Sequence, residues 1–285
     1  MKSIVVNKRS HSIPAFGGLS VTPLTGSIGA RIDGIKLKDT TAHDVEVIRA
    51  ALLKHCMLVF PEQFMGPQDH VAFSEKMGDL YIFPRVDFGD LSLPSGILKL
   101  INDGKDKVIT ENWHFDGMYL EAPPSICILA AQELPSIGGD TMWNNQYLAY
   151  ETLSDGMKRL IRNLRYRYVS SRIQKRYEGN NEQIGAWQPA VRKHPETGRH
   201  ALYVGSPETC RHFDGMTEAE SRPIIQYLYA HAQRPDFGYR HIWHGGDVVI
   251  WDNRCTMHYA VHDYGVEPRV MHRMAIKGDV ARGPD

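Results

Sequence analysis

This chain lacks most of the features that would set it apart from an ordinary globular enzyme. Its 285 residues include four cysteines, Cys56, Cys127, Cys210 and Cys255, with no Cys-x-x-Cys spacing; this argues against a thiolate zinc site or a disulfide framework. No apolar run is long enough to cross a bilayer. Met1 to Ser12 is polar and basic, without the apolar stretch of a secretory signal. Neither charge sign dominates, since 33 basic and 33 acidic residues cancel. No broad field is therefore present to recruit nucleic acid or an anionic membrane. There is also no repeat, low-complexity tract or Pro/Ser-rich linker. Residues 1–285 are expected to form one domain, long enough to bury a sizeable core. These absences predict a cytoplasmic protein of a reducing compartment.

What is present concentrates in a few places. In Asn112-Trp113-His114-Phe115-Asp116-Gly117 an imidazole and a carboxylate stand two residues apart. On extended backbone they share a face, which makes them candidate ligands of one metal. A third ligand from far along the chain would complete a two-histidine, one-carboxylate facial triad, the donor set of non-haem Fe(II) and O2 chemistry. Alone the motif is weak, because Asp116 before Gly117 also reads as a turn former. Downstream, Val248 to Trp251 is a short buried strand entering a turn, and His258 follows that turn; His262 and His272 are its rivals. Arg269 and Arg273, four apart in a β-rich segment, fall on one strand face. Buried guanidiniums need anions, and arginine suits a carboxylate. A surface pair between Arg269 and Glu267 is the bland alternative.

Taken together, these motifs resemble the taurine dioxygenase / 2,4-dichlorophenoxyacetate dioxygenase family of Fe(II)- and 2-oxoglutarate-dependent oxygenases. The likeness runs through Trp113-His114-x-Asp116, Gly138-Gly139-Asp140-Thr141, Trp251-Asp252-Asn253-Arg254 leading to His258, and Arg269 with Arg273. It implies iron at His114, Asp116 and His258. It implies that Thr141 and Arg269 hold the distal carboxylate of 2-oxoglutarate, and that Arg273 lies at the primary-substrate end with Thr110 and Gly117. The implied reaction consumes O2, releases succinate and CO2, and oxidises a substrate C–H bond, most simply to an alcohol. The implied partner is a small molecule with an acidic group, and the implied assembly a homo-oligomer. Rival classes are a β-barrel metal-dependent hydrolase or isomerase and a catalytically silent ligand-binding relative. The first has no explanation for the two arginines past the third ligand or for the Thr141 motif, and an intact triad with both arginines argues against the loss of turnover in the second.

The chain also departs from the taurine enzymes. Phe83-Pro84-Arg85-Val86 replaces a His-Pro-x-Tyr stretch, and Thr110 stands where those enzymes have asparagine. Gly117, Met118 and Tyr119 suggest a roomier, partly aromatic pocket, so an organic acid with a bulkier body is expected.

Short strands and turns, rather than β-α-β alternation, run along the chain. Helices are expected from Thr41 or Asp44 to about His55, from Pro67 to Gly78, at Gln146–Glu151, from Asp155 to Leu164, and from Thr217 to Ala232. Strands are expected at Met57–Phe60, Ile126–Ala131, His200–Val204, Tyr239–Trp243 and Arg269–Ile276. Residues 81–107 read as a substrate-covering loop, and 165–188 as an insertion outside the core. The pattern is mainly β with flanking helices. The family resemblance narrows it to a double-stranded β-helix, or jelly roll.

Overall fold

The computed structural model describes residues 18–82, 92–102, 112–169 and 185–285. β1 (Ser20–Pro23) and β2 (Ala30–Asp33) precede α1 (Ala42–His55), β3 (Met57–Phe60), α2 (Pro67–Met77) and β4 (Leu98–Asn102). Next come β5 (Ile126–Glu133), β6 (Thr141–Asn145), α3 (Gln146–Glu151) and α4 (Asp155–Ile161). β7 (Arg165–Val169), β8 (Gly185–Pro189), β9 (Val191–Lys193), β10 (His200–Leu202) and β11 (Cys210–Phe213) follow. The chain ends with α5 (Glu218–Ala232), β12 (Gly238–His241), β13 (Val248–Asp252), β14 (Thr256–Ala260) and β15 (Arg269–Ile276).

The helices begin where their capping chemistry dictates. Thr41 accepts from the Asp44 N–H while Asp44 accepts from the Thr41 N–H, a reciprocal capping box. Thr217 and Glu220 repeat the arrangement at α5. Pro67 opens α2, where its missing N–H leaves nothing unpaired. α1 and α2 cover one face of a seven-stranded sheet ordered β1-β2-β3-β13-β5-β15-β4. Ile48, Leu52 and Phe73 pack there with Ile128, Ile250 and Met274.

Strand alternation sends the intervening residues to the opposite face. Val59, Leu129, Val249, Trp251 and Met271 meet Trp143 in a second apolar layer. Trp143 belongs to a three-stranded sheet ordered β12-β6-β14. Two sheets closing on this layer make the jelly-roll core. A third cluster, around Tyr166, Phe213 and Leu228, joins α5 to β7 and β11 and takes in Phe115 and Met118.

Two expectations need correction. Residues 165–188 are not simply an insertion. Arg165–Val169 and Gly185–Pro189 pair antiparallel, and Tyr166 and Gln188 are fully buried. The polar, aromatic composition hid this because each strand buries only some of its residues; 170–184 lie outside the described residues. The 81–107 loop likewise contains a strand, since β4 pairs along β15 and buries Leu98. Within that segment, 83–91 and 103–107 lie outside the described residues.

Candidate metal centre

His114 and His258 are joined by the backbone. The His114 N–H donates to the His258 carbonyl at 3.0 Å, and the His258 N–H to the His114 carbonyl at 2.9 Å. This bridge continues the β6–β14 pairing, in which His258 lies opposite Trp143, and it sets the two imidazole centroids 4.1 Å apart. Asp116 follows two residues later. His114 Nε2 lies 3.9 Å from Asp116 Oδ1, and His258 Nε2 lies 3.7 Å from Asp116 Oδ2. One donor atom from each of the three falls within 4.8 Å of the others. His262 and His272, the rivals of His258, are not in this cluster.

The surroundings suit a metal. The His114 Nδ1–H donates to the Asn112 carbonyl at 2.7 Å. A carbonyl can only accept, so Nδ1 carries the proton and Nε2 keeps its lone pair for the cluster. Burial pushes His258 down to about 3, helped by neighbouring His114 and opposed by Asp116. Burial lowers His114 too, again against the pull of Asp116. Both rings are therefore in the neutral, ligating form. Burial opposes ionisation of Asp116, yet Arg273, His258 and His114 more than offset it and hold the carboxyl below its usual range. Two neutral imidazoles and a carboxylate, beside Trp251 and Cys127, fit a divalent ion with open positions.

Arg269 and Arg273 do share one face of β15 with Met271, as their even spacing required. They differ in their partners. Arg273 Nη1 donates to Asp116 Oδ1 at 2.6 Å, so it pairs with the candidate ligand itself rather than with a neighbouring acid. Arg269 is buried and, among the described residues, has no carboxylate partner. Its Nε donates to the Gly139 carbonyl at 2.8 Å and its Nη2 to Thr141 Oγ1 at 3.3 Å. Burial lowers its pKa accordingly. Glu267, the alternative partner, instead accepts from the Ser136 N–H and hydroxyl.

Gly139 permits this contact. Its φ is +72°, and a Cβ there would sit 3.0 Å from Arg269 Cδ, so only glycine lets the turn approach so closely. Thr141 Oγ1 also accepts from Trp243 Nε1 at 3.0 Å. With two donors on its oxygen, the Thr141 hydroxyl still has a proton to give, and no acceptor for it is present among the described residues. A charged donor and a hydroxyl donor thus converge, with no protein carboxylate paired to the guanidinium among the described residues. That is the setting for the far carboxylate of a diacid.

Gly117 has a conformational reason to be glycine: its φ is +71°, and a Cβ would meet Pro124 Cδ at 2.6 Å. Thr110 lies outside the described residues. Several neighbours went unnoticed in the sequence. Cys127, on β5, donates its thiol to Asp116 Oδ2 at 3.3 Å. Trp243, in a segment whose pattern signals only a strand, braces Thr141. Asp252, inside the recognised Trp-Asp-Asn-Arg motif, receives Arg254 Nε at 2.8 Å and Nη2 at 2.7 Å, and lies 3.0 Å from His194 Nε2. Arg254 Nη1 reaches Glu196 at 2.7 Å. This buried network stiffens the turn that leads to His258, and nothing in the local pattern pointed to His194 or Glu196.

Residues 20–275 match the family model described as "Taurine catabolism dioxygenase TauD, TfdA family". An alpha-ketoglutarate-dependent sulfate ester dioxygenase of Pseudomonas putida is 34% identical over 284 residues, covering 94% of this chain and 92% of that protein. An (S)-phenoxypropionate/alpha-ketoglutarate-dioxygenase of Sphingobium herbicidovorans is 31% identical, covering 94% and 97%. Among solved structures, a taurine dioxygenase from Burkholderia xenovorans superposes with a TM-score of 0.81 at 34% identity, covering 94% of this chain and 93% of that one. With a family match over nearly its whole length and a metal-competent His-Asp-His cluster beside an uncompensated arginine, the chain belongs to the TauD, TfdA family of dioxygenases.

Proposed function

We propose that the protein is an Fe(II)- and 2-oxoglutarate-dependent dioxygenase that oxidises a C–H bond of a small anionic organic molecule. The observation that carries this reading is the buried Arg269 guanidinium with no carboxylate partner among the described residues, on the same strand as the arginine that pairs with Asp116. His114, Asp116 and His258 would hold the iron, and Arg269 with Thr141 would hold the far carboxylate of 2-oxoglutarate. When bound, the metal and 2-oxoglutarate supply O2 activation and the oxidising equivalent, with release of succinate and CO2.

The protein's part is positioning. Asn112 keeps a proton on His114 Nδ1 and leaves Nε2 for the metal. Trp243 orients the Thr141 hydroxyl. Arg273 is assigned the acidic group of the primary substrate. Its present contact with Asp116 makes it a donor already desolvated and aimed at the centre. Tyr119 contributes to its electrostatic surroundings and gives that side of the site aromatic character. Relatives named for sulfate esters and for phenoxypropionate share the feature of an anion on an organic body, and this supports the same class here. Four free cysteines support the proposed reducing, cytoplasmic setting; no described helix is long and apolar enough to cross a membrane.

The test is anaerobic addition of Fe(II) and 2-oxoglutarate, followed by aerobic succinate assay over a panel of sulfate esters, aryloxy acids and their neutral analogues. A visible metal-to-ligand charge-transfer band and turnover confined to the anions are expected. Absence of the band would exclude 2-oxoglutarate chelation, and equal turnover of neutral analogues would remove Arg273 from its role.

A further inference from the structure

We propose that Asn253 is a positioning residue that sets the third metal ligand, its carboxamide fastening the Asp116 peptide to the turn between β13 and β14. The inference rests on the proposed metal role of His114, Asp116 and His258, and it concerns how three ligands from distant parts of the chain come to lie at one spacing.

The two histidines need no further help, because their peptides are hydrogen-bonded to each other in both directions. Asp116 has no such support. The chain leaves the extended bridge after His114 and turns at 116–119, with Gly117 in the left-handed region. Among the described residues, neither the N–H nor the C=O of Asp116 has a main-chain partner. Both go to one side chain. The Asp116 N–H donates to Asn253 Oδ1 at 2.9 Å, and Asn253 Nδ2 donates to the Asp116 carbonyl at 2.9 Å.

The second proton of Nδ2 goes to the Pro124 carbonyl at 2.9 Å, and the Asn253 N–H to the Ser125 carbonyl at 2.8 Å. Asn253 is fully buried, and both amide protons and its oxygen are engaged. The amide therefore acts as a missing rung of the ladder and grips the 116–125 segment at three main-chain groups. Its geometry also explains the residue type. Aspartate would have no proton for the two carbonyls, and glutamine would carry the amide a carbon too far.

The consequence is a fixed distance across the site. His258 lies five positions after Asn253 on β14, and the turn between them is rigid because Arg254, Asp252 and Thr256 close it. The Arg254 N–H donates to Asp252 Oδ1 at 3.0 Å, and the Thr256 hydroxyl to the Asp252 carbonyl at 2.8 Å. Asp116 and His258 are thus tied to one stiff element, and His114 is tied to His258. Every ligand pair is set by hydrogen bonds that do not involve the ion. A preformed site of this kind pays no ordering cost when the ion binds.

The experiment is anaerobic titration with Co(II), read by its d–d absorption, on the unmodified chain, Asn253→Ala and Gln146→Ala. Gln146 is the control: it is equally buried, and its side-chain amide donates to the Asn144 and Ala232 carbonyls at 3.4 and 3.2 Å and to none of the three ligands. Asn253→Ala should weaken Co(II) binding by about 10- to 100-fold, the range for partners that orient metal ligands, and change the band shape. Gln146→Ala should lower thermal stability without either effect. If Asn253→Ala bound Co(II) like the control, this inference would fall while the metal assignment stood. An unmodified chain that takes up no Co(II) would overturn both.

Hydrogen exchange on the metal-free, unmodified protein supplies a readout that needs no folded variant. The Asp116 amide, although in a turn, should be protected like the β13 amides. Exchange as fast as a solvent-exposed loop overturns the inference.

Discussion

Replacing Arg269 with methionine should affect binding and folding in different ways. In the folded protein this guanidinium is buried, donates to Gly139 and Thr141, and has no carboxylate partner among the described residues. An uncompensated buried charge costs several kcal/mol even after relaxation, whereas each hydrogen bond lost with it is worth about 1 kcal/mol. Methionine preserves most of the side-chain bulk. Stability of the metal-free protein should therefore change by no more than about 1 kcal/mol, or rise. Binding of 2-oxoglutarate should respond very differently. Its far carboxylate would enter a desolvated site without its cation, a loss on the order of 2–5 kcal/mol. At about 1.4 kcal/mol per tenfold, that is roughly a 30-fold to several-thousand-fold weaker affinity. Titrating 2-oxoglutarate into the anaerobic Fe(II) protein and following the charge-transfer band measures the affinity, and urea unfolding measures the stability. An unchanged 2-oxoglutarate affinity would refute the assignment. A stability loss above about 3 kcal/mol would show that Arg269 is structural instead.

Four further outcomes follow from the same geometry. His114→Ala, Asp116→Ala and His258→Ala should each abolish Fe(II)-dependent turnover and metal uptake with near-native circular dichroism, and His262→Ala should keep both; the reverse pattern for His258 and His262 would place the third ligand wrongly. Thr141→Val should weaken 2-oxoglutarate binding by roughly 1 kcal/mol, a smaller effect than Arg269→Met in the same titration, and it should also disturb Trp243 fluorescence because the indole N–H loses its acceptor. Arg273→Leu should leave the 2-oxoglutarate band in place but remove its perturbation by acidic substrates, and a variant that still couples acidic substrates to succinate release would contradict the anchoring role. His70, on the buried face of α2, is pushed by burial and then by His272 from 6.5 down to about 3. The unfolded chain thus binds the proton first, so stability is full above pH 6.5 and falls as pH drops toward 3, by up to about 1.4 kcal/mol per pH unit; urea unfolding between pH 7 and 4 should show a shallower slope in His70→Leu.

Much of the site was legible because its chemistry is carried by residue type and short spacing. A His-x-Asp pair on extended backbone, a histidine after a strand-ending turn, and two arginines four apart on a strand are local statements, and period-two alternation gives the side each residue faces. Helix boundaries were readable for the same reason: Thr41, Pro67 and Thr217 act through hydrogen bonds or ring constraints that reach only a few residues. The strands at 98–102, 165–169 and 185–189 were not readable. Their pairing with β15, or with each other, decides their conformation, and half-buried aromatic and basic residues have no clear alternation.

Residue types and their spacing along the chain are enough to name the ligand types, the order of the motifs and the family to which they point. Which partner each buried charge has was decided only in three dimensions. Arg269 and Arg273 look alike along the chain, yet one lies against a glycine turn 130 residues away and the other against a carboxylate 157 residues away. Asn253 gave no local sign that it holds Asp116, 137 residues distant. Such contacts depend on how two sheets close over Trp143 and Trp251. A hydrogen bond between distant residues leaves no periodicity in either segment, so only the folded chain reveals it.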